Sequence, residues 1–365
     1  RNIKYTDLNT AKQFSKSYTS SKGPVIAFLP YGKLMVSVDS STPPEDIILT
    51  SSKDVTVAVF KVQATMEDFV ISKLTFNNVS KNVAGDMDNN VEKVKLLSSN
   101  GVNMGMGGTA YLVNGTVYFS GTKILVPKND SIKLYLVVDT TKSVGEATPG
   151  EIVKFSLGEV EAVGQSTGFK VGNSGKMADV TSFFHIHSIK PKIVLNQNSP
   201  SGSKTLSAVD VGLIFDLTAV SNDGTELNVK DWKIDVASNG IFKKDAKTTA
   251  ILKEVDTGKV IAGPTSINVI DASKAEIKFS GEYTIAKDQT KAIALEYNSF
   301  SLINQSVNDD FVTFSIGLGS IKTVDSFNAG IVPGGIAWEE VQSGVKAAWF
   351  GNQSAFALNG NTLKY

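Results

Sequence analysis

Apolar and polar residues alternate with a period of two through most of the chain, and the clearest stretch runs from Val117 to Val138. Val117 and Phe119 take every second position, and the pattern resumes at Ile124 and Val126. After Lys128-Asn129-Asp130 it returns at Ile132, Leu134, Leu136 and Val138. A period of two puts one set of side chains on one face of a sheet, so the stretch predicts two strands joined by a short polar turn. The same pattern is written again from Ile277 to Leu295, with Phe279 standing 160 residues after Phe119.

The duplication extends beyond this hairpin. Leu34, Val36 and Val38 followed by Pro43-Pro44 are answered by Ile193 and Leu195 followed by Pro200. Val57–Ala64 matches Gly212–Ala219, and Ile71, Leu74 and Phe76 match Val229, Trp232 and Ile234. Phe155-Ser156-Leu157-Gly158 matches Phe314-Ser315-Ile316-Gly317. Five blocks in one order, at spacings between 155 and 160, identify a tandem repeat of one domain.

Within each copy, short strand-like runs are separated by Gly, Asn, Asp and Pro, and helix-period stretches are nearly absent. Regular short strands with turn signals predict two sheets packed face to face. The expected fold is therefore all-β: two tandem immunoglobulin-like β-sandwich domains, residues 33–188 and 189–365, behind an N-terminal extension of residues 1–32. The boundary near Phe183–Pro191 is alternating and apolar, which predicts a stiff junction and not a flexible linker. In the extension, Thr10–Tyr18 is read as a short helix capped by Asn9 or Thr10. Val25-Ile26-Ala27-Phe28-Leu29, set between Pro24 and Pro30, is read as an edge strand of the first sandwich. The sharper reading makes it an assembly strand that pairs with a neighbouring subunit.

Charge and composition then remove several functions. Lys plus Arg and Asp plus Glu number 36 each and are interspersed. A nucleic-acid or anionic-membrane partner would call for a basic surplus. No apolar run reaches the length of a membrane-spanning helix, so no transmembrane segment is expected. The chain opens on Arg1 without a secretory leader, which is compatible with an upstream segment having been removed. Cysteine is absent, which excludes disulfides, thiolate zinc sites and cysteine nucleophiles.

The remaining candidate chemistry is sparse. His185 and His187 are the only histidines. At i, i+2 on a strand they face one side and could share a metal ion, but without a third ligand nearby they are read as strand-surface residues. A Ser-His-Asp arrangement would have to use one of these two, and a hydrolase is not expected. Asp86, Asp88 and Asn90 have the spacing that opens a calcium loop. Val91 and Leu97 stand where an EF-hand needs Gly and Glu, so any calcium would sit in an inter-strand loop. Asn222-Asp223-Gly224 is read as a tight turn. The pairs Asp309-Asp310 and Glu339-Glu340 diverge on a strand and imply no acid–base dyad. Asn78, Asn114, Asn129, Asn304 and Asn352 open Asn-x-Ser/Thr triplets, which are glycosylation acceptors in a secreted, exposed setting. Gly105-Met106-Gly107-Gly108 is read as a loop, and Trp232, which aligns with Leu74 in the repeat, as core.

Tandem sandwich units with these hairpins resemble the repeat proteins of bacterial surface layers, closest to large secreted surface proteins of candidate-phyla bacteria. The resemblance covers roughly residues 33–365 and includes the closing run Trp338-Glu339-Glu340, Trp349 and Leu358–Leu363. It departs from the family after the second Trp, where Gly351-Asn352-Gln353-Ser354 replaces Asn-Gly-Tyr. The family brings no catalytic residues. Repeat, balanced charge and resemblance together predict a non-enzymatic, extracellular cell-surface protein that self-assembles with identical subunits into a layer or filament. The alternative is an adhesin or carbohydrate-binding module with a cell-surface glycan as partner.

Overall fold

The computed structural model describes residues 2–7, 13–17, 32–79, 89–105, 109–144, 147–172, 182–304, 310–316, 335–347 and 358–365. The N-terminal segment forms a hairpin of β1 (Asn2–Thr6) and β2 (Gln13–Ser17), with Tyr5 opposite Phe14. This corrects the helix read over Thr10–Tyr18. Ser, Thr, Phe and Tyr are indifferent helix formers, and a paired strand satisfies their backbone where an isolated short helix could not.

The first sandwich contains β3 (Lys33–Val38), β4 (Asp46–Leu49), β5 (Val55–Thr65), β6 (Phe69–Asn78), β7 (Val91–Ser98), β8 (Thr116–Val126), β9 (Ser131–Thr140), β10 (Ile152–Val153), β11 (Phe155–Gly164), β12 (Lys170–Gly172) and β13 (Phe184–His187). One sheet has the order β3-β5-β9-β7 and the other β12-β11-β6-β8. A third small sheet, β10-β13-β4, includes the parallel pair β13–β4. The alternation seen in the sequence becomes the two faces of a strand. On β8, Val117, Phe119, Ile124 and Val126 are buried while Tyr118 and Leu125 are exposed. Phe60 of one sheet meets Phe76 of the other at 5.2 Å between ring centroids, and Phe76 meets Phe119 edge-on at 6.0 Å. Offset and edge-on ring contacts of this kind add to the area they bury.

The second sandwich repeats the arrangement with β14 (Ile189–Leu195), β15 (Gly202–Ser203), β16 (Asp210–Ser221), β17 (Glu226–Ser238), β18 (Thr249–Glu254), β19 (Val260–Asp271), β20 (Lys274–Ala286) and β21 (Thr290–Tyr297). A single helical turn, α1 (Ser299–Leu302), precedes β22 (Phe311–Ile316), β23 (Gly335–Glu340), β24 (Lys346–Ala347), β25 (Leu358–Asn359) and β26 (Leu363–Lys364). The order β14-β16-β21-β18 reproduces β3-β5-β9-β7, and β22-β17-β20 reproduces β11-β6-β8. Irregularities are copied too. The bulge between Ile71 and Lys73 against β8 recurs between Val229 and Asp231 against β20.

The copies differ at two places. β11 pairs with β6 along its whole length, whereas its counterpart is cut in two. β22 pairs with Ile234–Ser238 and β23 with Leu227–Lys233 of the same strand, β17. Second, β19 pairs with both β18 and β20 and so links the two sheets of the second sandwich. In the first, among the described residues, the segment between β7 and β8 bridges to β7 at Val94–Ala110 and Leu97–Asn103 and touches β8 at its first residue alone, through Val113–Thr116.

The buried apolar residues form two clusters. One contains residues between Leu34 and Ile186, the other residues between Ile189 and Leu363 together with Ile47. Phe119 and Phe279 occupy matching places, opposite Leu74 and Trp232. All three tryptophans lie in the second copy, so tryptophan fluorescence reports on that sandwich. Phe279→Ala is expected to lower its stability by about 3–5 kcal/mol and to shift the fluorescence-detected urea midpoint. Phe119→Ala should shift the circular-dichroism transition by a comparable amount and the fluorescence transition by less.

Candidate functional site: the junction between the sandwiches

The chain crosses from one sandwich to the other in a single residue, Ser188, between β13 and β14. That crossing is fastened by Glu340 at the end of β23. Its carboxylate is fully buried and takes hydrogen bonds from four groups. His187 Nδ1 lies 2.6 Å from Oε1, and the Ser188 N–H donates to Oε1 at 3.1 Å. The hydroxyls of Ser188 and Ser343 donate to Oε2 at 2.6 and 2.8 Å. The His187 ring also rests against Trp338, with centroids 4.9 Å apart. A buried charge is tolerable only when its lone pairs are satisfied in this way.

The first sandwich has its own version of this carboxylate at the same end. Glu67, in the turn between β5 and β6, accepts the N–H of Gly32 at 2.9 Å, those of Ser166 and Thr167 at 3.0 Å, and the Thr167 hydroxyl. Burial opposes ionisation of Glu67, but these bonds outweigh it and hold the carboxyl below its ordinary range. The two carboxylates come from different elements, Glu67 from a turn and Glu340 from a strand. Gly164 pairs with Phe69, and Glu340 pairs with Leu227, the residue matching Phe69. Glycine is required at 164 because a Cβ there would lie 2.5 Å from the Glu67 carboxyl carbon. Gly32 and Ser188, each just before the first strand of its sandwich, are thus held by equivalent groups of different origin.

A second fastening comes from the turn between β16 and β17. The Asp223 carboxylate receives the hydroxyls of Thr50 and Ser51 and the Ser143 N–H, the last two at 2.8 and 2.7 Å. Asn222 Nδ2 donates to the Thr50 carbonyl at 2.9 Å and to Ser52 Oγ at 3.0 Å. Burial works against the Asp223 charge, and the bonds from Thr50, Ser143 and Ser51 more than compensate, so its acidity is raised. Lys190 Nζ donates to the Ile47 carbonyl at 3.0 Å, while Ile47 packs into the second core. Sequence reading took Asn222-Asp223-Gly224 as a turn, which it is. Its role as a plug in the neighbouring sandwich has no local signature.

The histidines are not surface residues, which corrects the sequence reading. Both lie on β13, almost wholly buried. They do not converge on a shared ion: His187 is engaged by Glu340, and His185 Nε2 lies 3.2 Å from Glu45 Oε1. Burial lowers the His185 pKa, against an opposing pull from Glu45. Among the described residues no cluster of three or more His, Asp or Glu side chains is placed to hold a metal.

Asp86 and Asp88 lie outside the described residues, as do Val25–Leu29 and Asn352. Asn90 is buried, donating to Glu151 and accepting the Thr148 N–H at 2.8 Å. Among the glycosylation candidates, Asn114, Asn129 and Asn304 are exposed. Asn78 is buried on β6, its Oδ1 accepting the Lys154 N–H at 3.3 Å, so its amide is turned into the β6–β11 pairing and away from a modifying enzyme. Glu339 and Glu340 diverge: Glu339 lies 3.3 Å from Lys230 while Glu340 points into the junction. Beside the junction a cleft of about 380 Å³ is lined by Ser143, Thr148, Ser188, Gln342, Ser343 and Val345, among others. Among the described residues no helix is long and apolar enough to cross a membrane.

No family model matches the chain, and no curated protein matches it. Solved structures similar to it include the collagen adhesin of S. aureus, 10% identical, covering 91% of each chain with a TM-score of 0.19. The C-terminal domain of the Streptococcus agalactiae polypeptide BspA is 11% identical, covering 78% of this chain and 95% of that one, with a TM-score of 0.20. The collagen-binding domain of the Erysipelothrix rhusiopathiae surface protein RspB is 9% identical, covering 92% and 93%, with a TM-score of 0.18. The sandwich architecture stands on the sheets and cores above.

Asp223→Ala strands several donors at the junction and is expected to cost roughly 1–3 kcal/mol. Because the folded carboxyl is more acidic than the unfolded one, its contribution is complete above the unfolded pKa of about 3.9 and is lost as pH falls below it. Urea titrations at several pH values should show the difference between native and variant narrowing on the acid side.

Proposed function

We propose that the chain is an extracellular, cell-surface structural subunit that associates with copies of itself into a layer or filament. The observation that supports this most is the one-residue junction with its buried, fully bonded Glu340. A lattice adds contacts coherently only if each subunit presents its ends at a fixed angle. A loose joint would have to be ordered on assembly, at an entropic cost. The polar side chains of a kind used in catalysis, His187, Glu340 and Asp223, are engaged at the junction. Balanced charge favours close association of identical copies. In this reading the units are residues 33–188 and 189–365, and Val25–Leu29 is the assembly strand. Calcium at Asp86 and Asp88 and glycans at Asn114, Asn129 or Asn304 are modifiers of the surface.

A second reading, a glycan-binding adhesin, is favoured by the hydroxyl-lined cleft beside the junction. It requires a monomer at high concentration that binds sugar, and a blank glycan array would sink it.

Negative-stain imaging of the purified chain, with and without calcium, is expected to show ordered polymers. Removing residues 1–31 should leave the far-ultraviolet circular dichroism of a folded β protein and abolish the polymers. Persistence of the same lattice would reduce the extension to local structure.

A further inference from the structure

The two copies treat one sheet edge differently. In the second sandwich the outer edge of β20 is covered by β19, which runs antiparallel to it with Ile267 opposite Ile277. The cover continues along the strand: Thr265 Oγ1 donates to the Lys278 carbonyl at 3.1 Å, and a Cβ on Gly281 would meet the Ile261 carbonyl at 3.4 Å. β8 is the counterpart of β20, with Val117, Tyr118 and Gly121 matching Ile277, Lys278 and Gly281. Among the described residues β8 has a strand neighbour on one side only, β6. The outward groups of Thr116 are used by the tight turn to Val113, which leaves the edge from Tyr118 to Leu125. Tyr118, Ser120, Gly121, Lys123 and Leu125 are all exposed.

Backbone orientation along this edge follows from the pairing. Asn78 N–H donates to the Gly115 carbonyl, and counting in twos gives Val117 and Phe119 the same inward direction. The N–H and C=O of Tyr118 therefore point outward, as the carbonyl of Lys278 does in the second copy. An uncovered edge of this kind is a template for another strand.

The chain upstream of Gly32 arrives at one end of that edge. Gly32 is held by Glu67, two residues before Phe69, which pairs with Val126 at the end of β8. The Lys128 N–H donating to Asp68 at 2.6 Å places the turn after β8 at the same end. Leu29 lies three residues before Gly32, so an antiparallel cover of β8 like that on β20 is reached more readily by Val25–Leu29 of another molecule.

Resting on the self-assembly reading, we propose that the β8 edge from Tyr118 to Leu125 accepts Val25–Leu29 of a second copy as an added antiparallel strand. The absence of cysteine makes the test direct. Full-length Tyr118→Cys is mixed with chains carrying one cysteine at each of positions 25 to 29 in turn, and oxidised under assembly conditions. A disulfide forms only where the strands bring the thiols together. The expected result is a disulfide-linked heterodimer at alternate positions. Its yield should be about tenfold or more above that with the second thiol at exposed Val209, as effective concentrations in the mM range imply. Tyr118→Pro, which removes an outward N–H and spares the β6 pairing, should abolish polymers while leaving the circular dichroism unchanged. Polymers without the cross-link would overturn the edge assignment and leave self-assembly standing. Chains that do not polymerise at all would overturn both. A Tyr118→Cys/Ala27→Cys double variant that closes into a monomeric disulfide would place the strand within one molecule and refute the exchange.

Discussion

A buried carboxylate beside the first strand of each sandwich is the constraint on which this architecture depends. Removing such a charge from water costs several kcal/mol, and only a full set of donors recovers it. The donors fix geometry in return. Glu340 cannot be satisfied unless Ser188, His187 and Ser343 converge on it, so the path of the chain between the sandwiches is tied to one buried side chain. Removal of one partner is therefore more harmful than removal of a packing contact of equal area, because it leaves the charge unpaired.

The comparison of the copies separates what the fold needs from what each copy chose. Both need a carboxylate at the strand entry, yet one takes it from a turn and the other from a strand, with Gly164 making room in the first case. Both carry a matched bulge, at Ser72 of β6 against β11 and at Lys230 of β17 against β23, where an extra residue bends the strand that holds it. They differ in the cover over one edge, which β19 supplies in the second copy.

Much of the fold was legible because a period of two reports directly on which face of a strand is buried. Phe119 and Phe279 were placed correctly on that ground alone, and Leu74 and Trp232 by the repeat. The junction was not legible, because its chemistry joins residues far apart in the chain. Glu340 and Ser188 are separated by 152 positions, and Asp223 and Ser51 by 172. Adjacent pairs such as Glu339-Glu340 show that strand geometry separates neighbours, but not which neighbour goes inside. The histidines were misplaced for a related reason. A short apolar run at a domain boundary looks like a surface strand until the second sandwich is laid against it.

The divided strand of the second sandwich carries a last consequence. β22 ends at Ile316, the match of Leu157, and in the undivided β11 the pairing register slips between Leu157 and Glu159. The first copy thus has a bulge at Gly158 at the position where the second opens its strand, and both halves of that strand still pair with β17. Covalent continuity at this point is dispensable to the sheet. A duplicated gene had there a ready port for lengthening one copy, and a designer has the same port for grafting a peptide into the other.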